Sequence, residues 1–249
     1  MWGDIAIAFL LAFITAFVIT PYTIRLAKKV GAVDMPEDRR VNKKPMPRLG
    51  GLAVIAGFLI SAIYLVISMY IEKKIDFSQD GLSKQLLGFL VGLIILGITC
   101  FVDDVKGIKP LVKLAGQILA AMAVASSGLL IDNFTIPFKE NNLVLNEVFS
   151  YILTIGWIVG ITNAINLIDG LDGLSSGITL IACISLLIIF SLNESPLIAI
   201  VLITALAGAI VGFLPYNFNP AKTFIGDVGS NFLGYAIAVI SILGVAKTY

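Results

Sequence analysis

Histidine is absent from all 249 residues. Imidazole acid–base chemistry and any His-liganded zinc site are therefore excluded from this chain. Cysteine is nearly absent too. Cys100 and Cys183 both lie inside apolar runs, where they read as small buried hydrophobes rather than a disulfide framework. Charge is scarce: Asp, Glu, Lys and Arg make up 13% of the chain, against ~25% in a soluble domain. The net charge of +1 carries no footprint of nucleic-acid binding. No P-loop or Gly-rich kinase loop occurs, which argues against an ATPase. No small-residue cleavage site follows the first apolar run, so that run reads as a retained helix, not a signal peptide. Internal repeats and low-complexity segments are also lacking.

Apolar residues are what the chain has in abundance. They make up 58% of it, at a mean hydropathy of +1.00. A bilayer core needs about 20 apolar residues per helix. Eight charge-free runs meet or nearly meet that length: Ile5–Ile24, Leu49–Ile71, Gln85–Val102, Leu114–Ile131, Val148–Ile168, Gly173–Asn193, Ser195–Phe213 and Val228–Ala246. Backbone polar groups must be satisfied internally in lipid, so the runs are expected as helices. The fold class is all-α: a polytopic transmembrane protein of about eight spans, read as one integral domain over 1–249. Segment 132–147 is expected to form a short hairpin with Asn141-Asn142 at its turn.

Basic residues set the orientation. With the N-terminus outside, the inside segments are 25–48, 103–113, 163–175 and 215–231. They hold twelve of the seventeen basic residues. Lys73, Lys74, Lys84, Lys139 and Lys247 remain outside, as the positive-inside rule allows. The expected location is the inner (cytoplasmic) membrane, with the chemistry on its cytoplasmic face.

The acidic motifs gather on that same face. Asp103 and Asp104 end an apolar helix side by side, and like charges so close call for a cation. Lys113 follows, just before the next run. Asn163, Asn166, Asp169 and Asp172 are spaced by three, which on a helix or 3₁₀ turn keeps them roughly on one side. Oxygen ligands of this kind suit Mg²⁺ or Mn²⁺ rather than zinc. Gly170 and Gly173 allow a sharp turn or close approach to a phosphate. Asp227, between Gly226 and Val228, opens the last run, either as an N-cap or as an anion-site carboxylate. Phe224 is a base-stacking candidate or an interfacial aromatic. In the first inside segment, Arg48 stands where the chain enters the membrane, and its neighbouring lysines fit attraction to anionic lipid. Five aspartates from three loops, facing a basic rim, form the arrangement that phosphoryl transfer needs.

Four stretches together resemble one family, the polyprenyl-phosphate N-acetylhexosamine-1-phosphate transferases of glycosyltransferase family 4. They are Pro-Arg-Leu-Gly-Gly at 47–51, Asp-Asp at 103–104, Asn-x-x-Asn-x-x-Asp-Gly-x-Asp-Gly-Leu at 163–174 and Gly-Asp-x-Gly-Ser at 226–230. The resemblance spans nearly the whole chain. It implies transfer of a sugar 1-phosphate from a UDP-sugar to a polyprenyl phosphate, with release of UMP. By the same resemblance Asp103 deprotonates or orients the lipid phosphate, Asp104 supports it, and Lys113 holds a phosphate. Asp227 and Asn166 form the Mg²⁺ pair. Arg48, Asn163, Asp169, Leu171 and Asp172 line the substrate pocket, with Phe224 stacked on uracil. Direct attack by the lipid phosphate is favoured over a covalent Asp103 intermediate. The 47–51 stretch is similar to the teichoic-acid-linkage and O-antigen initiating branch, which implies UDP-GlcNAc; the phospho-MurNAc-pentapeptide branch is Thr-rich there. A homodimer is compatible with the family. Two departures stand out. Asn42 occupies a position where relatives often carry His. Relatives also continue past Tyr249 with further helices and a His-rich loop, so truncation at the C-terminus is expected.

Three rival readings are weaker. A transporter or channel would place its aspartates at mid-span on facing helices. A CDP-alcohol phosphotransferase would need Asp-Gly-x-x-Ala-Arg, which is absent. A non-catalytic assembly subunit has only the missing C-terminal loop in its favour.

Overall fold

The computed structural model describes residues 2–36, 44–72, 81–135 and 142–245. Among them run eight helices: α1 (Trp2–Val30), α2 (Gly51–Ile71), α3 (Leu82–Lys106), α4 (Pro110–Ser126), α5 (Glu147–Ile168), α6 (Leu174–Leu192), α7 (Leu197–Asn217) and α8 (Gly226–Val245). Each coincides with one apolar run. Seven are long and apolar enough to cross a membrane. The eighth, α4, has 17 residues, at the lower edge of the spanning range of about 17–25. The protein is thus all-α and polytopic.

Local chemistry sets the ends. Pro110 begins α4, where its missing N–H costs nothing. Asn146 caps α5, its side chain accepting from Phe149 N at 2.9 Å. Two short ribbons join the helices. β1 (Val33–Asp34) pairs antiparallel with β2 (Met46–Pro47), and β3 (Asn133–Thr135) with β4 (Asn142–Val144). The second ribbon is the hairpin expected within 132–147. Asn142, however, pairs with Thr135 inside the ribbon rather than turning it. The other half of that expected turn, Asn141, lies outside the described residues, as do Asn42, Lys73, Lys74, Lys139 and Lys247.

Helices α7 and α8 are buried along most of their length. The hydrophobic pattern of α7 shows no polar stripe, which suits a helix surrounded by others. It packs against α1, α2 and α6, while α8 packs against α5, α3, α2 and α6. Small residues permit this closeness. A Cβ on Gly208 or Gly212 would collide with the Phe9 and Phe13 carbonyls of α1. The outer helices instead show large apolar side chains to their surroundings. Ile14 of α1, Ile94 and Ile98 of α3, Ile152 of α5 and Ile181 of α6 are all more than half exposed. A belt of that kind needs lipid around it.

Because the helices alternate in direction, one end of the bundle collects the C-termini of α1, α3, α5 and α7 and the N-termini of α2, α4, α6 and α8. Every acidic motif lies there. So do nine of the described basic residues, Arg25, Lys28, Lys29, Lys44, Arg48, Lys106, Lys109, Lys113 and Lys222; among the described residues only Lys84 stands at the other end.

Candidate active site

The site is built where α8 begins. Thr223–Ile225 lies against the strand that leads into α2: Phe224 N donates to Pro47 O at 2.8 Å, Gly50 N to Phe224 O at 3.1 Å and Gly51 N to Ile225 O at 2.8 Å. Gly226 then turns the chain at φ +74, a left-handed value that favours glycine. A Cβ there would run into the Arg48 carbonyl and approach Asp104 Oδ2 at 2.9 Å. Sequence reasoning saw this glycine as a flank of Asp227; its geometric role is to let three segments meet.

Asp104 is fully buried and caps α8 across space. Its Oδ1 accepts from Asp227 N at 3.0 Å and its Oδ2 from Val228 N at 2.9 Å. A carboxylate at a helix N-terminus satisfies first-turn donors and meets the positive end of the dipole. The cap that Asp227 was a candidate to supply thus comes from α3 instead. Arg48 closes the other end of this arrangement. Its guanidinium donates to the Asp104 carbonyl at 2.7 and 3.0 Å and to the Asp103 carbonyl at 3.4 Å, and lies 3.6 Å from the Asp104 carboxylate. It completes the C-terminal end of α3 while still lining the cavity.

Beside this scaffold sits a charged cluster. The Lys113 ammonium makes a short contact with Asp227 Oδ1, and lies 3.2 Å from Asn166 Oδ1 and 3.3 Å from Asp103 Oδ2. Asn166 Nδ2 donates to Asp227 Oδ1 and to Ser230 Oγ, each at 2.8 Å. Asp103 Oδ1 also accepts from Ile108 N at 2.9 Å. One helical turn deeper lies a neutral layer. Gln117 Nε2 donates to Asn231 Oδ1 at 2.7 Å and to Asn163 Oδ1 at 3.3 Å, and Asn163 Nδ2 donates to Gln117 Oε1 at 2.7 Å. Lys113 and Gln117 are four apart on α4, Asp227 and Asn231 four apart on α8; both pairs therefore repeat on one face. Gln117 and Asn231 were not singled out from the sequence. The available signal was a lone amide within each apolar run.

The four residues spaced by three do not act as one ladder. Asn163 and Asn166 still ride on α5 and face α4 and α8. Asp169, just past its end, turns to Ser175, whose Oγ donates to it at 2.6 Å. Burial pushes the Asp169 carboxyl up to about 6, the Ser175 hydrogen bond and Lys113 opposing, Asp227 assisting. Asp172 reaches across to accept from Asn219 Nδ2 and Ala221 N, each at 3.0 Å. That contact ties the loop after α5 to the loop that carries Phe224.

These groups surround a cavity of about 930 Å³. Arg48, Asp104, Asn166, Asp169, Leu171, Asp172, Phe224 and Asp227 line it, while Asp103, Lys113 and Asn163 do not. The volume suits a ligand of nucleotide-sugar size. Among the described residues no three of His, Cys, Asp and Glu converge on one metal position. Asp227 Oδ1 and Asn166 Oδ1 do face a common point, where the Lys113 ammonium lies. Two protein oxygens, with the rest supplied by phosphates and water, are a normal set for Mg²⁺. The residues therefore fit a hard cation.

A model of the family described as glycosyl transferase family 4 matches residues 86–245. A relative from Bacillus subtilis (strain 168), named "Probable undecaprenyl-phosphate N-acetylglucosaminyl 1-phosphate transferase", is 40% identical over 248 residues, covering 98% of this chain and 64% of its own. "Decaprenyl-phosphate N-acetylglucosaminephosphotransferase" of Mycobacterium tuberculosis (strain CDC 1551 / Oshkosh) is 35% identical, covering 92% of this chain and 57% of its own. "Phospho-N-acetylmuramoyl-pentapeptide-transferase" of Streptococcus thermophilus (strain CNRZ 1066) is 34% identical, covering 94% and 71%. The chain spans less than two thirds of the length of the first two of these relatives.

Proposed function

Because the chain belongs to glycosyl transferase family 4, we propose that it transfers GlcNAc 1-phosphate from UDP-GlcNAc to undecaprenyl (polyprenyl) phosphate, releasing UMP. The observation that carries this reading is the gathering of Asp103, Lys113, Asn166 and Asp227 beside a cavity bordered by several carboxylates and amides at one end of a membrane bundle. The lipid tail then stays in the bilayer while its phosphate reaches the helix ends. The name and 40% identity of the Bacillus relative favour GlcNAc as the sugar.

In this reading a lipid-phosphate oxygen attacks the sugar-bearing phosphorus. A new P–O bond forms, the bond to the UMP oxygen breaks, and UMP leaves. Asp103, largely buried and held by Ile108 N, orients the lipid phosphate and takes any proton it carries. Lys113 offers an ammonium to the incoming anions. Phe224 presents a ring to the uracil, and Asp172 fixes the loop that carries it. Asp169 and Leu171 border the nucleoside and diphosphate. Asp104 and Arg48 act mainly by holding α3, α8 and the entry to α2 together. Asp227 and Asn166 would hold Mg²⁺ (or Mn²⁺), which when bound neutralises charge on the diphosphate. The excess of basic residues at this end supports a cytoplasmic site with the N-terminus outside, in the cytoplasmic membrane.

The test is direct. Purified protein in detergent receives radiolabelled UDP-GlcNAc, undecaprenyl phosphate and Mg²⁺, and lipid-linked sugar and UMP are measured. Product that is lost with EDTA and with Asp103→Asn is the expected result. Product only with UDP-MurNAc-pentapeptide would move the assignment to the other branch, in line with the Streptococcus relative. No product with either sugar would refute the transferase reading.

A further inference from the structure

The cation at the centre of the site is part of the protein. An ammonium has three N–H donors and no acceptor. Lys113 donates two of them, to Asp227 Oδ1 and Asn166 Oδ1, and its charge pairs with Asp103 Oδ2 at 3.3 Å. The nest that holds it is built independently of it. Asn166 is oriented by its own donation to Asp227 and Ser230, and Ser230 Oγ in turn donates to Gly226 O at 2.9 Å. Asp227 is fixed by its place in the first turn of α8, where Asp104 takes its backbone N–H. The oxygens would thus keep their aim if the lysine left.

We propose that Lys113 is the resident counter-ion of this nest and that a divalent cation enters by exchange with it, breaking the Lys113 contacts to Asp227 and Asn166. The inference rests on the reading of Asp227 and Asn166 as the cation pair. Both oxygens point at the ammonium nitrogen, so an ion bridging them at the ~2.0–2.1 Å of a Mg–O bond would overlap it. Two cations side by side in a half-buried pocket also repel strongly. Binding of the metal and pairing of Lys113 with Asp227 are therefore alternatives. The released ammonium, beside the cavity, then becomes available to an anionic substrate. Metal and phosphate would bind with positive coupling, because the first frees a partner for the second.

The experiment uses Mn²⁺ alone, with no substrate, on the full chain in detergent. Free Mn²⁺ is read by electron paramagnetic resonance for wild type, Lys113→Met and Lys109→Met; Lys109 is exposed and serves as the charge control. Lys113→Met should bind Mn²⁺ at least about tenfold more tightly, while Lys109→Met stays within about twofold. In parallel, acetylation of Lys113 in the wild type is followed by mass spectrometry. Saturating Mg²⁺ should speed it relative to Lys109. Lys113→Gln replaces the Met variant if that one does not fold, and the acetylation arm needs no variant. Equal or weaker Mn²⁺ binding in Lys113→Met, or protection of Lys113 by Mg²⁺, would overturn the exchange. Mn²⁺-dependent UMP release by the wild type alongside either result would leave the transferase reading standing. No Mn²⁺ binding by any of the proteins would reject the nest as a metal site and the exchange with it.

Discussion

Replacing Asp104 by Ala removes a fully buried carboxylate that two backbone donors and one guanidinium face. The Asp227 and Val228 N–H groups would lose their acceptor inside the protein, and an unsatisfied buried donor costs about 1–3 kcal/mol. Arg48 keeps its carbonyl partners but loses the carboxylate; its side chain is 30% exposed, so that part of the loss is screened. Together the loss should be about 3–5 kcal/mol, the range for breaking a buried charged contact. Against a total of about 5–15 kcal/mol this is a large fraction. Asp104→Asn keeps one acceptor oxygen but turns an NH₂ toward the second donor, so it should lose about half as much, roughly 2 kcal/mol. Asp103→Ala is the contrast. Asp103 is largely buried, but it accepts only one backbone N–H besides pairing with Lys113. Because Lys113 keeps Asn166 and Asp227 as partners, the loss should be about 1 kcal/mol while product formation collapses. The assay is thermal unfolding of the detergent-solubilised protein in EDTA, with turnover measured on the same samples. The expected order of melting temperature is wild type, Asp103→Ala, Asp104→Asn, Asp104→Ala. An Asp104→Ala protein as stable as Asp103→Ala, yet inactive, would refute the scaffolding role and return Asp104 to direct chemistry.

Further expectations follow from the same contacts. Gly226→Ala puts a Cβ into the Arg48 carbonyl at φ +74; the left-handed conformation alone costs about 1–2 kcal/mol, and a clear drop in both melting temperature and turnover is expected. Gln117→Leu strips Asn163 and Asn231 of a shared partner, at about 1–3 kcal/mol. A double-mutant cycle with Asn231→Leu should then give a coupling of at least about 0.5 kcal/mol, and simple additivity would contradict the layer. Phe224→Ala should weaken UDP-sugar binding by calorimetry and leave lipid-phosphate binding unchanged; equal loss of both would point to misfolding. Asp169 provides a pH test. Its folded value of about 6 lies above the ordinary 3.8, so the neutral form is favoured in the folded protein. Its contribution is fully present below pH 3.8 and fades as pH rises through about 6, by up to ~3 kcal/mol at 1.36 kcal/mol per pH unit. In EDTA, Asp169→Asn should therefore gain stability over wild type between pH 4 and pH 7, and a constant difference across that range would sink the assignment.

Part of this protein was legible from composition and order alone. All eight apolar runs became helices, because bilayer thickness sets their length and each satisfies its backbone within itself. Alternation of direction then placed every acidic motif at one end, whatever the packing. The family motifs also pointed to Asp103, Lys113, Asn166 and Asp227, which stand together in the structure. Partnership between helices was another matter. The sequence left Asp227 as a candidate cap for α8, but the cap is Asp104, whose codon lies 123 positions earlier. Arg48 was expected to line the substrate pocket, and it does border the cavity, yet its hydrogen bonds are to α3 carbonyls. Gln117 and Asn231 are single amides in separate apolar runs, and only the packing of α4, α5 and α8 brings them together. Hydropathy and spacing are properties of one segment, so they can specify spans, caps and faces. Which face meets which is decided by the packing of small residues such as Gly208, Gly212 and Gly229 against particular neighbours, and that exists only in three dimensions.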